Sequence, residues 1–259
     1  MLTGWKTGCC TVLLVLQLGT LAVAGDDTVG RLMVEAYRCY TGTGRKVDMG
    51  RALKLYLEAA RRGDAEAQFI VGGMFYKGQG TEPDRKKAFK WFLRAAEQGR
   101  YTARSLSIIG STYLRGTGVP QSYEEARRWL SLAADMGEMA AQNDLAYMLY
   151  NGLGGSRDYH RALELYRKAA MQGDGQAQYN VGFIYSQGTG VGVDRVRAYA
   201  WFSLAASQGN TAARMASNDL MARMTWQELN RAQSLSVQLY KEIQDNLDRL
   251  EDKTRSVPP

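Results

Sequence analysis

Five copies of Ala-Ala-x-x-Gly at nearly constant spacing constrain this chain more than any other feature. They stand at Ala59-Ala60-Gly63, Ala95-Ala96-Gly99, Ala133-Ala134-Gly137, Ala169-Ala170-Gly173 and Ala205-Ala206-Gly209, with the glycines 36, 38, 36 and 36 residues apart. Eight residues before the second alanine of each copy lies another alanine: Ala52, Ala88, Ala126, Ala162 or Ala198. A period of this length marks a stacked array of supersecondary units rather than one closed core.

Each position in the unit has a physical task. Asp48, Asp84, Ser122, Asp158 or Asp194 stands ahead of the first alanine and can accept hydrogen bonds from the free amides of a first helical turn. Between the alanines lie Leu55-Tyr56, Trp91-Phe92, Trp129-Leu130, Leu165-Tyr166 and Trp201-Phe202, large enough to fill the space between helices. The glycine falls where a helix ends at positive φ, and Asp64, Asp174 or Asn210 follows, suited to cap the next helix. That second helix closes on Gly78-x-Gly80, Gly116-x-Gly118, Gly152-x-Gly154 or Gly188-x-Gly190. The second copy departs from this pattern. Ala103 precedes Gly110 by seven residues, where Ala67 precedes Gly72 by five, which predicts a bulge, a shifted boundary or a turn. With 4 prolines and 28 glycines, the composition suits helices joined by glycine turns.

These motifs resemble the Sel1-like repeat, a relative of the tetratricopeptide repeat, over roughly Asp48 to Asn210. The wording AYAWFSLAASQGN of the last copy resembles bacterial members. The resemblance implies an all-α fold, a right-handed α-solenoid of helix–turn–helix repeats, and a role in protein–protein interaction. It also implies a test of activity. Some secreted Sel1-like proteins are cysteine-rich and linked to β-lactam-like cell-wall compounds, and this chain lacks their paired cysteines.

The ends extend the array. Residues 1–24 read as a signal peptide: Lys6, an apolar core from Thr11 to Leu21, and Ala22-Val23-Ala24 before Gly25. A periplasmic or secreted location is therefore expected, with an uncleaved N-terminal anchor as the alternative. After cleavage no segment is apolar enough to span a membrane. Residues 25–44 read as a partial repeat helix in which Ala36, Cys39 and Gly42-Gly44 match Gly72, Phe75 and Gly78-Gly80. Cys39, the one thiol left in a mature chain, is then expected in the core. Residues 45–224 form the array, counted as five first helices with their partners. Thr225-Trp226-Gln227-Glu228 is a capping box, and 225–250 reads as a long helix with an apolar stripe of Leu229, Ala232, Leu235 or Ser236, Leu239, Ile243, Leu247 and Leu250. Its expected role is to cover the last repeat. The polar 251–259 is expected to be a flexible tail.

Charge and chemistry narrow the function. The formal charge is +7, and removal of 1–24 leaves +6. Lys86, Lys90 and Arg94 recur every four residues along one helix, with Arg127 and Arg128 in the next unit. The plain reading is a solvated face; the sharper one is a docking patch for an acidic protein partner. No nucleic-acid-reading motif is present. His160 is the one histidine, too few with Cys39 for the usual His/Cys zinc sets, and its place in a first helical turn reads as surface. Asp84, Asp158 and Asp194 read as caps, Trp91, Trp129 and Trp201 as core, and Gly-x-Gly, with no Lys-Ser/Thr beside it, as a loop and no phosphate cradle. No catalytic residue, cofactor or metal is expected. The leading expectation is a non-catalytic scaffold or regulator of the bacterial cell envelope. The alternative is an enzyme or ligand-binding protein of cell-wall metabolism.

Overall fold

The computed structural model describes residues 27–255, which form twelve helices in chain order. They are α1 (Asp27–Thr41), α2 (Met49–Arg61), α3 (Ala65–Lys77), α4 (Arg85–Glu97), α5 (Ala103–Arg115) and α6 (Tyr123–Asp135). They continue as α7 (Met139–Asn151), α8 (Tyr159–Ala170), α9 (Gly175–Gln187), α10 (Arg195–Ser207), α11 (Thr211–Met221) and α12 (Trp226–Arg255). The signal-peptide reading of 1–24 lies outside the described residues. Each odd helix through α9 packs most extensively on the even helix after it, and each even helix packs less extensively on the odd helix that follows. The result is an α-solenoid.

The repeated residues do the work assigned to them. The Oδ1 atoms of Asp48, Asp84, Asp158 and Asp194 accept from the amides of Arg51, Lys87, Arg161 and Arg197 at 2.8–3.0 Å. Ser122 Oγ accepts from Glu125. Ala52, Ala88, Ala126, Ala162 and Ala198 are fully buried, so neighbouring helices come close there. Phe92, Leu130 and Phe202 lie against Gly72, Gly110 and Gly182, where any Cβ would stand 2.6–2.7 Å from the ring or side chain. Burying one such side chain contributes about 1.5–3 kcal/mol. The second glycine of each loop is the joint between units: Gly154 rests on the Tyr123 backbone at the start of α6, and Gly190 on Tyr159 at the start of α8.

Two expectations are refined. The two extra residues of the second copy sit in the turn before α5, not inside it. Residues 98–102 separate α4 from α5, whereas 62–64 separate α2 from α3, and both second helices have 13 residues. Ser105, not Ala103, therefore matches Ala67, and Thr102 with Ser105 forms a capping box. The C-terminal helix does not stop at 250 but runs to Arg255, so 251–255 is helical rather than an irregular tail; 256–259 lie outside the described residues. The helix covers the last full repeat by lying on α10. Glu228 at its start lies near Arg195 at the start of α10, and Asn246 donates to Met171 O at the end of α8 at 2.8 Å. Thus α12 runs along α10 and over the α8–α9 turn, leaving Met215 and Met221 of α11 exposed. Cys39 is fully buried, as its alignment with Phe75 requires.

A hydrogen-bonded pair that the motif reading did not single out ties helix to helix in three units. Gln68, Gln142 and Gln178 are buried, and each donates to the carbonyl of Ala60, Ala134 or Ala170 at 3.2–3.4 Å. Each also accepts, at 2.8–3.0 Å, from Gln98, Gln172 or Gln208. In the fourth unit the same two positions are Leu106 and Met136. In these four units the pair is amide–amide or apolar–apolar, because an amide buried without its partner costs about 1–3 kcal/mol; the α1–α2 unit has Leu32 and Arg62 there. Gln142→Leu should therefore destabilise by about that amount in denaturant unfolding. Adding Gln172→Met should recover much of the loss; a double variant showing the plain sum of two losses would mean that the pair is not coupled.

Candidate functional site

The odd helices form the closer row of the array. The helix α5 touches α7 directly, and two cavities open across the row. This row is therefore the inner side of the curve, and the even helices form the outer side. Along the inner row one position varies while the residue before it stays small. Buried Ala36, Gly72, Gly110, Ala146 and Gly182 are followed by Tyr37, Gly73, Ser111, Tyr147 and Phe183. Tyr37, Tyr147 and Phe183 are 41%, 49% and 37% exposed. Tyr147 and Phe183 wall one cavity, while Tyr37 stands apart from them, beyond the units of Gly73 and Ser111.

The first cavity, about 220 Å3, lies between α7 and α9 and is walled by Tyr147, Tyr150, Tyr166, Tyr179, Phe183 and Ile184. The Tyr179 and Phe183 rings stack at 6.3 Å, and burial pushes the Tyr166 phenol up, so it stays protonated and neutral. The second cavity, about 490 Å3, adjoins the first through Tyr147 and Asn180 and includes Arg115, Asn143, Asp144 and Gln176. Its carboxylate is already answered: Ser111 Oγ donates to Asp144, and Arg115 Nη2 lies 3.0 Å from Asp144 Oδ1. Asn143 Oδ1 is buried and accepts no hydrogen bond. These residues escape motif reading because they are where the repeats differ. The signal that finds them is the column after the invariant small residue.

The basic residues lie on the outer row, on α4 and α6. Lys86 lays its stem on the loop at Gly118, where an added Cβ would meet Lys86 Cδ at 3.3 Å. Lys90 is exposed. The Arg94 guanidinium lies over the Trp91 ring at 5.0 Å. Arg127 donates to Gly154 O at 3.3 Å. Arg128 stacks on Trp129 at 4.8 Å and lies 3.7 Å from Glu125. Alignment places Arg128, not Arg127, at the position of Lys90. Lys86, Lys90, Arg94 and Arg128 stand at exposed positions of α4 and α6, whereas Arg127 aligns with buried Phe89 and is spent on the joint to the next loop. His160 is exposed in the first turn of α8. Asp84, Asp158 and Asp194 are caps, and amide donation by Lys87 holds the Asp84 carboxyl below its ordinary range. Trp129 and Trp201 are buried and Trp91 is half-buried.

Five matches to the Sel1 repeat cover residues 36–64, 65–99, 103–138, 140–174 and 175–210. The chain belongs to the Sel1 repeat family. The Sel1 unit begins on an odd helix, so the pairs α1–α2 (matched from residue 36), α3–α4, α5–α6, α7–α8 and α9–α10 are its repeats and α11 is a further half-unit. This register also agrees with the packing, in which the odd helix and the even helix after it make the fuller contact. The chain is similar to the crystal structure of a protective antigen present in uropathogenic Escherichia coli strains, which displays an SLR fold. The two are 30% identical with a TM-score of 0.66, over 87% of this chain and 48% of the antigen. The chain thus spans about half the antigen's length. It is also similar to a Sel1 repeat protein from Oxalobacter formigenes, 31% identical with a TM-score of 0.57, over 73% of this chain and 74% of that one. No curated protein matches. Sel1 repeat proteins generally mediate protein–protein interaction and are typically non-catalytic. No helix among the described residues is long and apolar enough to cross a membrane.

Proposed function

We propose that this Sel1 array is a non-catalytic scaffold or regulator of the bacterial cell envelope that holds a partner protein on its solenoid surface. The observation that carries the reading is the exposed pair Tyr147 on α7 and Phe183 on α9, which wall one cavity between adjacent repeats. Large apolar side chains gathered on a concave face, with amides beside them, make a protein-binding surface. The leader-like 1–24 supports the envelope location. The outer stripe of Lys86, Lys90 and Arg94, with Arg128 beside it, supplies positive charge that would steer an acidic partner.

Crosslinking of the mature chain in native envelopes, followed by capture, tests the reading. A specific protein partner should be recovered, and the captured chain should begin at or near Gly25. Recovery of the chain only from the cytoplasm with Met1 retained, or without any crosslinked protein, would overturn it. Replacing Lys86, Lys90 and Arg94 by Glu should leave the melting temperature nearly unchanged. Association with the captured partner should slow about tenfold, an effect that fades as salt rises. Unchanged association at every salt concentration would reduce the stripe to a solvated face.

A further inference from the structure

One corner of the array carries cations where its helix ends favour acids. Gly190 rests on Tyr159 at the start of α8, and Glu228 at the start of α12 lies near Arg195 at the start of α10. The starts of α8, α10 and α12 therefore stand side by side at the C-terminal end of the stack. The dipole at a helix start favours negative side chains, yet neither α8 nor α10 has an acid in its first turn. Arg161, Arg195 and Arg197 stand there instead, with Arg157 in the loop before α8, and all four are exposed. Asp158 and Asp194 spend their side chains on capping the two helices. The basic corner stops at α6, whose first turn holds Glu124 and Glu125. Amid the arginines two large apolar side chains project. Val193, in the loop before α10, is 61% exposed, and Trp226, the first residue of α12, is 76% exposed. Neither packs against the core or borders an inner cavity.

We propose that this corner rests on the surface of an anionic lipid bilayer. The guanidinium groups of Arg161 and Arg195 meet headgroup phosphates, and Trp226 and Val193 enter the layer between headgroups and acyl chains. Tryptophan suits that layer because its ring is apolar and its N–H is polar. Arginine and tryptophan also suit protein interfaces. Here, however, the apolar side chains project from a loop and a helix start with neither inner cavity beside them, so they need a partner that yields around them, and a bilayer does. Apolar insertion and charge attraction add, which is how a folded protein without a spanning helix holds to a membrane surface. The corner lies on α8, α10 and α12, away from the stripe of Lys86, Lys90 and Arg94 on α4. Lipid and a protein partner are then held by different parts of the array, and neither contact depends on the other.

The test mixes the mature chain with vesicles of phosphatidylglycerol and phosphatidylethanolamine, and separately with vesicles of phosphatidylcholine alone. The chain should sediment with the first and not with the second, and added salt should release it. Trp129 and Trp201 are buried and Trp91 is half-buried in the stack. A blue shift of tryptophan emission on binding should therefore come from Trp226 and vanish in Trp226→Ser. Arg161→Glu combined with Arg195→Glu should weaken vesicle binding about tenfold or more, whereas Lys90→Glu should leave it unchanged. The melting temperature should stay nearly constant in all three variants, because the side chains are exposed and the new acids suit the dipoles of α8 and α10; this separates lost contact from lost fold. The proposal is overturned if the chain ignores anionic vesicles or binds both kinds equally. Binding with no emission shift, lost in Lys90→Glu and kept in the arginine pair, would overturn it too and would make the outer stripe the lipid contact. A protein crosslinked at residue 226 in native envelopes, with no binding to vesicles, would likewise overturn it and assign the corner to a protein partner.

Discussion

Replacing Gly154 by alanine should lower stability by about 3 kcal/mol, the sum of a positive-φ cost near 1 kcal/mol and an overlap cost of about 2 kcal/mol. Gly154 has φ +71°, and a Cβ there would stand 2.6 Å from Tyr123 O. That oxygen belongs to the start of α6, held by the Ser122 cap and unable to retreat without moving the helix. For a domain of this size the melting temperature should fall by about 6–12 °C. Gly137→Ala is the control. It has φ +89° but nothing within 4 Å of the added Cβ, so it should cost only the backbone share, about 1 kcal/mol. The difference between the two variants isolates the joint between units. Equal losses would show that the loops serve conformation alone and that the units are held elsewhere.

The architecture was legible because every unit repeats the same local solution. The caps at Asp48, Asp84, Ser122, Asp158 and Asp194 and the closing glycines after α3, α5, α7 and α9 are short-range devices, and their spacing announces them. Two things were less legible for physical reasons. The pairing register could not be read from Ala-Ala-x-x-Gly, because an even helix packs on odd helices at both sides; only the extent of packing shows that the unit starts on the odd helix. The direction of α12 could not be read either. Its stripe of Ala232, Leu239 and Ile243 names the face that is buried, not the surface it lies on. The candidate site was the least legible of all. Repetition marks what the stack needs, whereas Asn143, Tyr147, Asn180 and Phe183 sit where the copies disagree. The basic stripe was visible because like charges recur at helical spacing. Spacing does not reveal that Arg94 lies on Trp91 or that Arg127 reaches the Gly154 carbonyl.

The position of α12 leads to the second large effect. Ile243 is 3% exposed where α12 has left the start of α10 and approaches the α8–α9 turn, while Val237 on the same helix is 57% exposed. Ile243→Asp would bury a charge with no partner, at a cost of about 3–5 kcal/mol if the helix stayed in place. The helix has a cheaper route, which is to leave. Asn246 and the stripe beyond Leu239 hold its second half, and a detached helix of this length is marginal in water. The second half of α12 should therefore peel away and unwind, with faster amide exchange and new protease cleavage C-terminal to about residue 237. The repeats α2 to α9 should keep their protection, because in a solenoid each unit leans on its nearest neighbours. Val237→Asp should change neither. Uniform loss of protection from α2 to α12 would instead make the helix part of one cooperative core.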